Sequence, residues 1–320
     1  MPLDPDIALI LEKINAEPPL DDLSIASRRR AAKQGWRDIM RIAQVDGVDS
    51  RDSAIPGPAG DIPVRIYRPT DAAPTEAMPT IVYYHGGSWI IGDIDTHDAA
   101  TRQIARQVRA VVVSVDYRLA PEHPFPAGLD DAKAALDWAI ENVGELGGLP
   151  SKIVISGDSA GGNFCAAISV MARDEGLPLA AQLSFYPSSD LSKRFPSMDE
   201  FGSGYLLETP PVDFADPEYL VDPDLRYDVR VSPLLTESFE GVAPAVIYTA
   251  EFDPIKDHGT ALAEAYERDG VPFTLHEAPG MIHGFLQAGA SPAALAEIDA
   301  ACADLRELLG LPPLAPLTPL

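Results

Sequence analysis

The residues best suited to chemistry lie in Lys152-Ile153-Val154-Ile155-Ser156-Gly157-Asp158-Ser159-Ala160-Gly161-Gly162. This stretch reads as a short apolar strand, a Gly-x-Ser-x-Gly turn and the start of an Ala-rich helix. A tight turn of that kind pushes the Ser159 hydroxyl out as a nucleophile, and Gly157 and Gly161 omit side chains where strand and helix approach. The helix from Ala160 directs unpaired N–H groups and the positive end of its dipole at the serine. Acyl transfer through a serine also needs donors where negative charge develops. A second apolar strand, Thr80-Ile81-Val82-Tyr83-Tyr84, runs into His85-Gly86-Gly87-Ser88-Trp89. The N–H groups of Gly86, Gly87 and Ser88, with that of Ala160, are the expected oxyanion donors.

A serine hydroxyl needs a base, and the base needs a carboxylate to orient it. Strand–nucleophile–helix after a Gly-rich loop is the order of an α/β-hydrolase, in which the acid and then the histidine follow the serine. Of six histidines, His258, His276 and His283 come late enough. His276 lies inside the strand Pro272-Phe273-Thr274-Leu275-His276-Glu277 and reads as structural, and His258 begins a helix. His283 sits in Pro279-Gly280-Met281-Ile282-His283-Gly284-Phe285, a loop able to lay an imidazole over the serine. For the acid, Glu251, Asp253 and Asp257 follow the strand Ala245-Val246-Ile247-Tyr248-Thr249. Glu251 reads as still within the strand end, Asp253 as the loop tip, and Asp257 as an N-cap for the next helix. Asp158 precedes the serine and is expected to hydrogen-bond locally. Asp93, Asp95 and His97 read as a solvated loop rather than metal ligands, and this chemistry calls for neither metal nor cofactor.

His-Gly-Gly-Ser-Trp, then Asp116-Tyr117-Arg118-Leu119-Ala120-Pro121-Glu122-His123-Pro124-Phe125-Pro126-Ala127, then Gly157-Asp158-Ser159-Ala160-Gly161-Gly162, resemble the bacterial hormone-sensitive-lipase-like esterases, family IV or the GDXG lipolytic enzymes. The resemblance runs from about residue 60 to 310. It departs from the family at Ser88, which stands where a third glycine is usual; a backbone N–H remains there. The resemblance implies a carboxylesterase acting on short- to medium-chain esters. It matches Met281-Ile282-His283-Gly284-Phe285 to the family's histidine loop and puts the acid at the first Asp of Asp-Pro-x-x-Asp, Asp253. It also implies that an N-terminal helical segment belongs to a cap, and that the last strand and helix, 272–309, join two chains in a homodimer. Pro272 opens that strand and leaves its edge available.

The elements that must position these residues alternate. Strands are expected at about 62–68, 80–84, 111–115, 152–156, 181–186, 244–249 and 272–277, and helices at about 96–109, 127–142, 160–175, 257–269 and 292–309. The pattern is a mostly parallel sheet with helices on both faces. Residues 5–43 read as helical. Residues 188–230 break the alternation with Phe195, Phe201, Tyr205, Leu206, Leu207, Phe214 and Tyr219 among Pro and Asp, and apolar residues this dense must bury against something. With the N-terminus they form the expected cap, 1–45 and 188–230, over a catalytic domain of 46–187 and 231–320. The tail 311–320 is Pro-rich and reads as extended.

Lys and Arg number 24 against 49 Asp and Glu, a net charge of −25. Such a surface repels nucleic acid and anionic membrane and suits a neutral small-molecule ester. The first residues lack the basic start and apolar core of a signal peptide, and no apolar run reaches membrane-spanning length. A cytoplasmic protein is expected. Cys165 and Cys302 read as free thiols, Cys165 buried in the helix after the nucleophile.

Overall fold

The computed structural model describes residues 2–18, 23–40, 44–73, 75–209 and 217–314. Its centre is an eight-stranded sheet in the order β1-β2-β4-β3-β5-β6-β7-β8. The strands are β1 (Val48–Gly57), β2 (Gly60–Pro69), β3 (Met78–Tyr84), β4 (Val111–Val115), β5 (Gly148–Asp158), β6 (Ala181–Phe185), β7 (Ala245–Phe252) and β8 (Phe273–Ile282). β1 and β2 form an antiparallel hairpin joined to β4, and the pairings from β4 through β8 are parallel.

The central strands read as unbroken apolar runs because both of their faces are covered. Every residue of β3 and β4 is buried. Val82 and Tyr84 enter one core with α4 (Ala127–Glu141) and α5 (Ala160–Glu175), through Leu129, Leu136, Phe164 and Ile168. Ile81 and Tyr83 enter the other, with α3 (Asp98–Val108) and α8 (Pro292–Leu308), through Ile104, Val108, Ile298 and Leu305. α7 (Lys256–Arg268) adds Leu262 and Tyr266 to a third cluster that includes Ala166 of α5. Cys165 and Cys302 are free and buried in these cores. No described helix is long and apolar enough to cross a membrane.

One strand escapes the periodicity. β1 carries Asp49, Ser50, Arg51, Asp52 and Ser53, and only Val48 and Ile55 are buried. A solvated hairpin strand at the sheet margin shows little apolar alternation.

Before the sheet come α1 (Pro5–Ala16) and α2 (Ile25–Asp38). Asp4 caps α1 through the N–H groups of Asp6 and Ile7, and Ile7, Ile10 and Leu11 are buried. α2 buries no residue fully. It is tied down by charge: Arg29 spans the Ile90 and Ala120 carbonyls and the Glu122 carboxylate, each at 2.7–3.0 Å, and Lys33 bridges Asp93 and Asp95.

Between β6 and β7 the chain makes, among the described residues, a short helix, α6 (Pro196–Glu200), and 3-10 turns at Pro223–Tyr227 and Pro233–Leu235. Its aromatic residues pack on the site's own elements. Tyr205 stacks on Phe252 at 5.8 Å, Phe195 meets His258 at 4.6 Å, and Tyr219 stacks on Trp89 at 4.2 Å. The segment also meets the N-terminal helices, through Asn15 to the Gly204 carbonyl and through Arg28 to Glu218. Phe214 and the tail residues 315–320 lie outside the described residues.

Candidate active site

Ser159 follows the end of β5 and precedes α5 with φ 54° and ψ −114°. A non-glycine residue in that region costs about 1–3 kcal/mol and persists only where its surroundings hold it. Here the Ser159 N–H donates to the Phe185 carbonyl at 2.9 Å, and the Ser159 carbonyl accepts from Asn163 N–H at 3.0 Å and Ser188 N–H at 3.3 Å. The two flanking glycines are sterically required. A Cβ on Gly161 would stand 1.9 Å from the Tyr84 carbonyl oxygen, and one on Gly157 would stand 2.5 Å from the Gly161 carbonyl carbon. The side chain of Ser159 is left partly accessible while its neighbours Asp158 and Ala160 are buried.

His283 follows the end of β8, and Asp253 follows the end of β7, so adjacent parallel strands deliver both to the same edge of the sheet. Ser159 Oγ lies 2.9 Å from His283 Nε2, and His283 Nδ1 lies 2.8 Å from Asp253 Oδ2. The second oxygen of Asp253 accepts the Ile255 N–H at 2.8 Å, which fixes the carboxylate plane. Asp253 is fully buried and His283 nearly so. With Nδ1–H donating to the carboxylate, Nε2 presents its lone pair to the serine hydroxyl. The Tyr186 ring packs 4.7 Å from the imidazole.

The remaining candidates fall elsewhere. His276 Nε2 stands 3.0 Å from Glu297. His258 Nδ1 accepts the Ser189 N–H at 3.1 Å, and burial, aided by Lys193 and His283, pushes its imidazole down to about 3. Glu251 accepts the Gly280 N–H and joins β7 to β8. Asp257 is not the cap expected of it: it lies inside α7 and accepts the Ser197 N–H at 2.9 Å, while Ile255 occupies the cap position. Asp93 and Asp95 pair with Lys33, His97 is buried, and among the described residues no group of His, Cys, Asp and Glu could hold a metal ion.

Of the four N–H groups expected to face an oxyanion, the Gly86 N–H is committed elsewhere: it donates to Asp158 Oδ1 at 2.9 Å. That proton is already engaged by a buried carboxylate, which sets Gly86 apart from the other three, Gly87, Ser88 and Ala160. Gly87 needs φ 120°, and a Cβ there would stand 2.2 Å from the Ile91 carbonyl. Ser88 and Trp89 both adopt left-handed φ, 54° and 63°, so the loop takes its shape without a third glycine. As the first residue of α5, Ala160 has an N–H with no acceptor within its helix.

Asp116, just past the end of β4, is a pH-dependent liability. Burial, reinforced by Asp93 and Asp95, pushes its carboxyl up to about 6. The folded chain then binds a proton that the unfolded chain has already released, so this residue's contribution to stability falls as pH rises from about 4 to about 6. Asp116→Asn is expected to stabilise the protein at pH 7.5 by on the order of 1 kcal/mol, and to do little near pH 4. Urea unfolding at the two pH values checks this; a gain only in acid would refute it.

A mostly parallel eight-stranded sheet bearing a serine at a strand–helix elbow is the architecture of the α/β-hydrolases. The family model for the alpha/beta hydrolase fold matches residues 81–287. The chain is 44% identical over 274 residues, 83% of its length and 71% of the other's, to the carboxylic ester hydrolase LipN of Mycobacterium tuberculosis. It is 35% identical over 288 residues, 89% of its length and 93% of the other's, to an arylesterase of Saccharolobus solfataricus. Its structure is similar to that of ester-hydrolase EH1AB1 from the metagenome of Lake Arreo, with a TM-score of 0.89 and 35% identity over 96% of this chain and 99% of that one. The chain belongs to the hormone-sensitive-lipase-like esterases, family IV of the α/β-hydrolases, and is a carboxylic ester hydrolase.

Proposed function

We propose that Ser159 is the nucleophile of this esterase, His283 its general base and acid, and Asp253 the carboxylate that orients the imidazole. The observation that carries the reading is the continuous hydrogen-bonded line Ser159–His283–Asp253, with spacings of 2.9 and 2.8 Å. His283 Nε2 takes the hydroxyl proton as Oγ attacks the ester carbonyl. The carbonyl oxygen becomes an oxyanion facing the N–H groups of Gly87, Ser88 and Ala160, which form the oxyanion hole. Collapse breaks the bond to the alcohol oxygen, which leaves with the proton from His283. Water then attacks the acyl-enzyme by the same route and releases the acid and free Ser159.

Residues 1–45 and 188–230 act in this reading as the cap, with 46–187 and 231–320 as the catalytic domain. The aromatic packing of Phe195, Tyr205 and Tyr219 on site elements supports a cap that shapes a pocket for short to medium acyl chains. A p-nitrophenyl ester series from acetate to palmitate tests it: kcat/KM should peak between butyrate and octanoate and collapse at palmitate. Equal rates on palmitate would reject the short-chain pocket.

The enzyme works as a homodimer in the cytoplasm. β8 is the last strand of the sheet; its far end meets Asp4, but Thr274 and the 38%-exposed Leu275 lie at the surface of its first half, and an exposed edge segment invites pairing with a second copy. Two buried free thiols suit a reducing compartment. Light scattering at micromolar concentration is expected to give about twice the 34.2 kDa chain mass. A single-chain mass would reject the dimer.

A further inference from the structure

Asp158, the residue before the nucleophile, makes no local hydrogen bond through its side chain. Its carboxylate is buried where three separate parts of the site converge. Oδ1 accepts the Tyr83 hydroxyl at 2.6 Å and the Gly86 N–H at 2.9 Å, with His97 Nε2 3.4 Å away. Oδ2 accepts the Gln287 side-chain amide at 3.3 Å and the Tyr186 hydroxyl at 3.5 Å. Gly86 leads into Gly87 and Ser88. Gln287 lies just beyond His283, and Tyr186 is the residue whose ring packs on that imidazole. A single anion therefore reaches the Gly-rich loop, the elbow and the histidine loop at once.

The contact is close as well as polar. A Cβ on Gly86 would stand 2.4 Å from Asp158 Oδ2, so the loop rests directly on the carboxylate. Burial alone would push this carboxyl up; His97, Tyr83 and Gln287 overcome that and hold it at about 2, ionised throughout the neutral range. His97 braces the arrangement from the start of α3. Its Nδ1 lies 3.0 Å from Thr96 Oγ1, and its ring is packed among His85, Tyr83 and Trp36. The loop it steadies needs such an anchor, because Ser88 and Trp89 hold left-handed φ values that a free chain would relax.

We propose that Asp158 is a positioning residue for oxyanion stabilisation: by holding the Gly86 N–H it aims the N–H groups of Gly87 and Ser88 at the point faced by Ala160, and His97 braces it. The inference rests on Gly87, Ser88 and Ala160 being the oxyanion donors.

The experiment uses the full chain as wild type, Asp158→Asn, Asp158→Ala and His97→Leu, with active sites counted by a fluorophosphonate. It measures kcat and KM on p-nitrophenyl butyrate and Ki for an alkyl trifluoromethyl ketone, whose serine adduct carries an oxyanion. Losing one oxyanion donor costs on the order of 10²–10³-fold in kcat. Asp158→Ala should therefore lose about 10²-fold in kcat with KM within about threefold, and Ki should rise by the same factor. Asp158→Asn keeps an acceptor for Gly86 and should recover to within about tenfold of wild type, and His97→Leu should lose about fivefold with the same split. A merely structural role would lower the melting temperature and leave kcat per active site unchanged.

Unchanged kcat in folded Asp158→Ala, a kcat loss without a change in Ki, or Asn as damaging as Ala would each overturn the proposal. If Asp158→Ala does not fold, wild-type kcat and Ki in both Asp158→Asn and His97→Leu overturn it. Failure of the underlying reading is distinct: the wild type itself would then bind the trifluoromethyl ketone no more tightly than the corresponding methyl ketone.

Discussion

Ser159→Ala is expected to lose turnover by on the order of 10⁴-fold or more while remaining folded. Among the described residues its Oγ makes one hydrogen bond, to His283 Nε2, so removing it deletes the proposed nucleophile and little else. The backbone at Ser159 is held by the carbonyl of Phe185 and by the N–H groups of Asn163 and Ser188, none of which depends on the hydroxyl. Thermal unfolding should shift by no more than a few degrees, consistent with loss of one partly exposed hydrogen bond. The residual rate is expected to reflect the proposed oxyanion donors, which the substitution does not touch. A burst assay and kcat on p-nitrophenyl butyrate, with protein purified free of host esterases, provide the check. Turnover within tenfold of wild type would remove Ser159 from the mechanism.

Asp253→Asn is the second large effect, with kcat expected to fall on the order of 10⁴-fold and KM to change little. The fold should survive, because an amide fits the same space and its oxygen still accepts the Ile255 N–H. What changes is the imidazole. The amide nitrogen then faces His283 Nδ1 and donates to it, so the ring proton moves to Nε2 and meets the serine hydroxyl as a donor. A histidine in that tautomer cannot take the serine proton. Asp257→Asn is the control: its carboxylate holds the Ser197 N–H and does not touch His283, so its cost should appear in stability and not in kcat. An inactive Asp257→Asn beside a nearly normal Asp253→Asn would exchange their roles.

The central strands were legible because burial on both faces leaves a continuous apolar run, as in Val111–Val115 and Ile153–Ile155. β1 was not, since a hairpin strand wet on most of its length shows neither a run nor an alternation. Ser159 and His283 announce themselves through short motifs whose glycines have a steric purpose. Asp253 needed the family pattern to separate it from two neighbouring carboxylates, and its distinguishing property, contact with an imidazole thirty residues away, is invisible in local sequence. Gly86 and Asp158 show the same limit from the other side. Each looks local, yet they are bonded to one another across 72 residues, and that bond engages the Gly86 N–H its motif had suggested as a donor.

Gly161 touches the Tyr84 carbonyl so closely that not even a methyl group would fit between them. Main chain thus meets main chain where the elbow passes the end of β3, and this contact fixes how closely they approach. If the proposed cap is right, the reacting geometry and the shape of the pocket are specified by different parts of the polypeptide. In the proposed reading, Tyr205 and Leu206, which pack on Phe252 and beside Gly284, are residues to exchange for a changed substrate range, whereas Tyr219 stacks on Trp89 of the Gly-rich loop and belongs with the frame. For an engineer, this divides the molecule into a frame to leave alone and a wall to randomise.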